Sequence, residues 1–418
     1  MSAAQREFDI VLYGATGFAG KLTAEYLARA AGDARIALAG RSQDKLRAVR
    51  ESLPDMAQSW PLIAADASQR STLDALAART QVVVTTVGPY IRYGLPMVAA
   101  CTAVGTDYAD LTGEAMFIRE SIDRYHKQAV DTGARIVHSC GFDSIPSDLT
   151  VYALYRRVQE DQAGELADTN MVVRSLAGGV SGGTVATMIE VMRTASADPE
   201  ARRLMNDPYT LTPDRGAEPE LGAQPDVRWR RGREIAPELD GYWTGAFVMA
   251  AANTRIVRRS NALLDYAYGR RFEYAEQMSM GRSFAAPVAA AMATGGNAVT
   301  MALGSRYFDR LPRTLVERIA PKPGTGPSER AREQGHYTVE TYSTTTTGAR
   351  YRATMSQKGD FGYKATSVLL GESGLALALD RDRLSDLRGV LTPAAAMGDA
   401  LLARFPAAGV RLDTSRLN

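Results

Sequence analysis

Two cysteines in 418 residues, Cys101 and Cys140, with no Cys-x-x-Cys pair and no histidine beside them, supply neither a disulfide framework nor a zinc site. The three histidines match no metal-ligand spacing, so no metal is expected. A formal charge of only +2 gives no electrostatic case for nucleic acid as a partner. The opening MSAAQREFDI lacks a basic segment followed by an apolar one, so no secretory leader is expected and a cytoplasmic setting is the default. Repeats and low-complexity tracts are also missing. What is present is length enough for two domains, with 45% hydrophobic residues to fill two cores.

Residues 8–13, FDIVLY, form a nearly unbroken apolar run, which suits a strand buried on both faces. Gly14, Gly17 and Gly20 follow at G-x-x-G-x-x-G spacing, and Ala19, Leu22, Tyr26 and Ala30 then recur at helical steps. Gly14 permits a sharp exit from the strand, Gly17 lets a ligand approach backbone, and Gly20 lets the helix pack close to the sheet. The N–H groups of the first helical turn favour an anion such as a pyrophosphate. A dinucleotide held by Gly14, Ala15, Thr16, Gly17, Phe18 and Gly20 is therefore expected. The next strand, 35–38, leads into Gly40, Arg41 and Ser42 with no carboxylate at its end. An acid there would select NAD, whereas a guanidinium suits a 2′-phosphate. NADPH is expected over NADH, with Arg41 and Ser42 at the ribose; the alternative leaves Arg41 an ordinary surface arginine.

Residues 61–65 read as a third strand ending at Asp66, which either contacts the adenine or caps the following helix. A β-branched strand at 81–87 ends in Gly88, Pro89 and Tyr90, and its carboxyl end should face the nicotinamide unless Gly88 and Pro89 form a plain turn. Helices at 95–104 and 115–132, a short segment at 106–110 and a strand at 134–139 complete the alternation. The expected fold class is α/β, a Rossmann-like doubly wound parallel sheet, joined to an α+β domain with a mixed or antiparallel sheet covered by helices. The boundaries are drawn at 1–148 for the first domain, with 384–418 packing back on it, and 149–383 for the second. Within the second, 198–237 reads as a long surface excursion or lid, 322–335 as a polar linker, and 336–356 as a hairpin turning at Thr347 and Gly348. The segment 284–304 is almost uncharged and rich in Ala, Met, Val and Gly. It suits a buried or tunnel-lining helix, a helix lying on a membrane surface, or a span.

The motifs GATGFAG, LAGR, TTVGPY, YGLPMVAAC, GTDYADLTGE, GFDSIPSDL, SGGT, PGTGPS and GVLTPAAAMGDALL together resemble the saccharopine dehydrogenase-like oxidoreductases. Within that group the chain is most similar to the mycobacterial trans-acting enoyl reductases, over nearly its whole length. The resemblance implies an NADPH-dependent enzyme that reduces long acyl chains made by a polyketide synthase lacking its own enoyl reductase, in phthiocerol and phenolphthiocerol lipid biosynthesis. The implied partners are that synthase or its acyl-carrier domain; peripheral membrane contact through 284–304 and a homo-oligomer are compatible with it.

Such a reaction delivers hydride to the β-carbon and a proton to the α-carbon, and needs an oxyanion partner and an acid. Tyr90 is the first candidate, from the strand end facing the nicotinamide. Tyr93, Asp143 and Ser144 come next from loops at the same edge, although Asp143 and Ser144 also suit capping of the helix that follows. The Tyr-x-x-x-Lys pair of short-chain dehydrogenases is absent, since Tyr125 is followed by His126 and Lys127. Two other readings stay open: a saccharopine-type amino-acid dehydrogenase, whose substrate would need fixed cations, and a non-catalytic NADPH-binding, lipid-associated protein.

Overall fold

The computed structural model describes residues 6–179, 182–308 and 326–418. The strands are β1 (Phe8–Tyr13), β2 (Ile36–Gly40), β3 (Leu62–Ala64), β4 (Thr80–Thr85), β5 (Asp107–Ala109), β6 (Arg135–Val137), β7 (Leu166–Ala177), β8 (Trp243–Ala246), β9 (Glu273–Gly281), β10 (His336–Thr345), β11 (Arg350–Lys358), β12 (Gly389–Leu391) and β13 (Val410–Arg416). They form two sheets. The first is wholly parallel, ordered β12-β6-β5-β4-β1-β2-β3.

Its first five helices are α1 (Phe18–Ala30), α2 (Gln43–Glu51), α3 (Arg70–Arg79), α4 (Tyr90–Val104) and α5 (Ala115–Thr132). Ile10 and Leu12 of β1 pack with Leu27 of α1, Leu46 of α2, Val82 and Val84. Val11 and Tyr13 face the other way, into a cluster with Leu73 of α3, Met97 of α4 and Phe117 of α5. Both faces of β1 are thus covered, which explains a continuous apolar run where a half-exposed strand would alternate. The Rossmann-like expectation holds.

The second sheet is mixed, ordered β13-β11-β10-β7-β9-β8, with only β7 and β9 parallel. The remaining helices are α6 (Ile145–Glu160), α7 (Gly182–Ala197), α8 (Pro199–Asn206), α9 (Gly232–Ile235), α10 (Ala250–Leu263), α11 (Ala286–Tyr307), α12 (Glu329–Gln334), α13 (Thr366–Leu379) and α14 (Pro393–Arg404). Leu149 and Leu154 of α6 and Val257 of α10 join Met171, Tyr274, Val339 and Ala353 of the sheet in the cluster that also holds Ile10 and Leu12. One hydrophobic core therefore runs from sheet to sheet.

Three expectations are corrected. Helix α13, drawn within the second domain, lies on the first sheet: a Cβ on Gly374 would fall 2.5 Å from Val84 Cγ2, and one on Gly371 2.5 Å from the Tyr26 ring. Its small residues serve that close approach. The closing segment is shared, since β12 extends the first sheet beside β6 whereas β13 pairs with β11 in the second. The polar linker at 322–335 contains α12; 322–325, like Ser181 of SGGT, lie outside the described residues.

The 198–237 excursion carries only short helices and is pinned from α10. Arg255 pairs with Asp226 at 3.0 Å, Arg258 donates to Pro208 O at 3.3 Å, and the fully buried Arg259 donates to Leu211 O and Val390 O. Segment 284–304 falls mostly in α11, which is not buried: Val288, Met292, Val299 and Leu303 are all more than half exposed. Among the described residues no helix is long and apolar enough to cross a membrane.

Candidate active site

The glycine turn has the shape its spacing predicts. Gly14 sits at φ +92°, and a Cβ there would lie 2.8 Å from both Thr86 Oγ1 and Val87 Cγ2. A Cβ on Gly20 would lie 2.1 Å from Gly14 O, so the third glycine lets the helix pack against the turn itself. Gly17, exposed, is the N-cap of α1, which has no side-chain cap and no acid in its first turn. Ala15 is buried behind the turn, with Thr16 half-buried between it and Gly17. The N–H groups of that first turn lack intrahelical acceptors, and open backbone lies before them, so the cradle fits a pyrophosphate. Phe18 is edge-on to Tyr363 at 4.5 Å, and a Cβ on Gly326 would fall 2.5 Å from its ring. Residues from beyond the second sheet thus close over the turn.

At the ribose end Arg41 follows β2, is exposed, and makes no hydrogen bond or ion pair among the described residues. Ser42 caps α2, its hydroxyl accepting from Lys45 N at 3.4 Å. The Asp66 carboxylate accepts from the Ser68 N–H and hydroxyl, both at 2.9 Å, and these hold its pKa low with a further contribution from Arg41. It does not cap α3, whose N-cap is Gln69. Burial and the Asp66 charge push the neighbouring Tyr13 phenol up to about 12, against the pull of Arg41. Cation and acid thus stand together at the carboxyl ends of β2 and β3.

The carboxyl ends of β4, β5 and β6 bring together three loops, and the four candidate acids separate into two kinds. Gly88 is exposed and Pro89 is the N-cap of α4. Tyr90 is buried, its hydroxyl donating to Thr85 O at 3.1 Å and accepting from Leu111 N at 3.2 Å. Burial, then the Asp110 charge, raises its pKa well above the ordinary value. Both hydrogen bonds of the Tyr90 hydroxyl are thus made with backbone, and they tie the β4 and β5 loops together. Tyr90→Phe should keep the single-turnover rate within about twofold while costing about 1 kcal/mol in urea unfolding; a rate loss of tenfold or more would return it to the chemistry. Ser144 is also buried and donates to Asn253 Oδ1 at 3.0 Å; Asn253 Nδ2 donates to Glu276 Oε2 at 3.0 Å, and Tyr274 OH to Glu276 Oε1 at 2.9 Å. It is the N-cap residue of α6, yet its side chain makes no capping bond.

Tyr93 and Asp143 are the open pair. Tyr93 is 44% exposed on the first turn of α4. Asp143 is half-buried, carries no hydrogen bond or ion pair among the described residues, and burial pushes its pKa up to about 6. Its loop is rigid on both sides: Phe142 packs against Tyr337 at 4.7 Å and Phe361 at 5.2 Å, and Phe142 N donates to Thr366 Oγ1 at 3.1 Å. Ser144 anchors the other side.

Four features were not foreseen from the sequence. Glu114 caps α4 from a distant loop, accepting from Tyr90 N at 2.9 Å and Ile91 N at 2.7 Å, and this starts the helix five residues before the expected 95. The buried Asp110 accepts from Tyr108 OH, Thr112 N, Ser139 N and, at 2.7 Å, His138 Nδ1, whose Nε2 lies 2.9 Å from Ser121 Oγ. That Asp-His-Ser series is sealed, with Ser121 fully buried, and serves to lock the β5 and β6 loops. Next to Tyr93, Arg92 of α4 pairs with Glu190 of α7 through contacts of 3.1 and 2.7 Å. Met249, at the start of α10, reaches the loop after β5, its Cε 3.3 Å from where a Gly113 Cβ would be.

The described residues hold no cluster of metal-ligating side chains, and Cys101 and Cys140 are buried free thiols whose pKa burial pushes up. Residues 10–137 match the saccharopine dehydrogenase NADP binding domain. The trans-acting enoyl reductase of Mycobacterium tuberculosis is 70% identical over 419 residues, and that of Mycobacterium ulcerans 67% identical over 419 residues, each comparison covering 100% of both chains. Among solved structures, apo saccharopine dehydrogenase (L-Glu forming) from Saccharomyces cerevisiae superposes with a TM-score of 0.53 over 98% of this chain and 99% of its own, at 14% identity, a likeness of fold.

Proposed function

Because the chain belongs to the trans-acting enoyl reductases, NADPH-dependent oxidoreductases with a saccharopine dehydrogenase-like fold, we propose that it saturates the α,β double bond of an acyl thioester. The bound cofactor supplies the hydride. The glycine turn and the α1 N-terminus bind its pyrophosphate, and Arg41 its 2′-phosphate. Asp143 holds the proton destined for the α-carbon: its carboxyl has no partner among the described residues, is half-buried, and is tuned by burial to about 6, near the working range of a general acid. Tyr90, Glu114 and Asp110 fix the loops around it.

The observation that carries this choice over an amino-dicarboxylate substrate is that a set of arginines on and beside the second sheet is already engaged. Arg228 is held by Asp168 and Glu273, Arg230 by Asp168, Arg174 by Glu340, Arg255 by Asp226, and Arg350 by Glu238. Arg258 and Arg259 are spent on backbone carbonyls. These cations brace the fold and are not free to receive carboxylates. The acyl chain would come from a polyketide synthase through its carrier domain, and the product would serve phthiocerol-type lipids.

Purified protein given NADPH and an α,β-unsaturated acyl thioester should consume the reduced cofactor and yield the saturated chain, with saccharopine inert. Tight NADPH binding with no turnover, even when the synthase is added, would favour the non-catalytic reading. In the same assay Arg41→Ala should lose about 10- to 100-fold of the preference for NADPH over NADH, the worth of one charged hydrogen bond. An unchanged ratio would remove Arg41 from cofactor selection.

A further inference from the structure

We propose that the outer face of α11 is a docking surface for an anionic lipid bilayer. The helix covers the edge of the second sheet. Ala286 and Ala290 are buried, Thr294 Oγ1 accepts from Ala246 N at 3.2 Å, and a Cβ on Gly245 would lie 3.1 Å from Ala293 Cβ. Its opposite side faces solvent with aliphatic residues. Val288 is 61% exposed, Met292 68%, Val299 56% and Leu303 54%, in steps of four, seven and four that make a single stripe, with Phe284 fully exposed just ahead of it. A groove of about 630 Å³ between Pro287, Val288, Ala291, Met292, Gly295 and Gly296 runs into this stripe. Contiguous apolar surface of this kind marks a binding face.

Charge identifies the occupant. From 277 to 308 the only charged residues are Arg282 and Arg306, both exposed, one at each end of the helix. Arg282 stands over the Tyr242 ring at 4.1 Å and Arg231 over Trp243 at 4.8 Å, so the corner beside Phe284 presents guanidiniums seated on aromatic rings. Of the acids at that corner, Glu234 accepts from the Arg231 N–H and Glu238 pairs with Arg350, while Asp240 is exposed; the exposed Arg231, Arg233 and Arg282 still leave the corner net positive. A second copy meeting this face through a two-fold axis would set arginine against arginine with no carboxylate on the helix to answer. A bilayer of acidic lipid complements both features: acyl tails receive the stripe, and headgroup phosphates receive the guanidiniums. This surface stands apart from the reaction assigned above.

The test is co-sedimentation of the full chain with vesicles of phosphatidylcholine alone or mixed equally with phosphatidylglycerol. Binding is expected to be stronger on the mixed vesicles and to weaken with salt. The double variant Val288→Asp and Met292→Asp should lower it at least about tenfold, and Arg282→Glu about fivefold on mixed vesicles only, with NADPH affinity unchanged in each. Absence of wild-type binding, or equal binding by the double variant, would overturn the proposal. So would a self-associated species in solution that the double variant dissolves, since copies of the chain would then cover the face.

Discussion

Replacing Asp143 by Asn is expected to lower the rate of acyl reduction by about a hundredfold to ten-thousandfold, the range for loss of a general acid, with NADPH still bound. The expected pH behaviour is specific. With its pKa at about 6, roughly one carboxyl in ten keeps its proton at neutral pH, and the wild-type rate should fall about tenfold for each further unit of pH. The variant should lose that limb and show a flat profile. An independent sign comes from stability. The folded carboxyl holds its proton from the ordinary 3.8 up to about 6, where the unfolded chain has released it. Folding is therefore favoured below that window and loses stability as pH rises through it, a slope that Asn removes. Stopped-flow single turnovers across pH decide the point: a variant as fast as wild type would leave Asp143 a loop residue.

The second large effect concerns stability. Asp110→Ala would leave the N–H groups of Thr112 and Ser139, the Tyr108 hydroxyl and one His138 ring nitrogen without their acceptor, all inside the protein. Breaking a buried network of this kind costs about 3 to 5 kcal/mol. Urea unfolding should show that loss, and cofactor affinity should fall with it because the freed loops flank the strand ends where the nicotinamide is expected. A cost below about 1 kcal/mol would mean that water or the relaxed loops replace the carboxylate.

These effects differ in how far they were legible in the chain. The first sheet could be read because burial on both faces leaves unmistakable apolar runs such as Val82 to Val84, and the glycine turn because each glycine answers a steric demand. Asp143 and Tyr93 could be named as candidates from their position after strands. Nothing local separated them from Tyr90 and Ser144, since the partners that close those hydroxyls, Leu111 and Asn253, lie 21 and 109 residues away. Glu114 was hidden for the same reason: a cap supplied from 24 residues beyond the helix start has no local signature. Helix α11 was ambiguous because an all-round apolar composition reads alike whether the helix is buried in protein or turned outward. Helix α13 was assigned by sequence proximity to the second domain, while its glycines had already prepared it for Val84 and Tyr26.

The division of residues 389–416 between the two sheets has a consequence for folding. Residues 389–391 finish one sheet and 410–416 the edge of the other. Until residues 389–416 are in place, β6 and β11 each present an unmatched edge. The contacts that join positions 135 and 389, and 351 and 416, link residues far apart in sequence and so carry a high loop-closure cost. A chain lacking residues 389–416 would accordingly carry two bare strand edges, open to pairing with other chains.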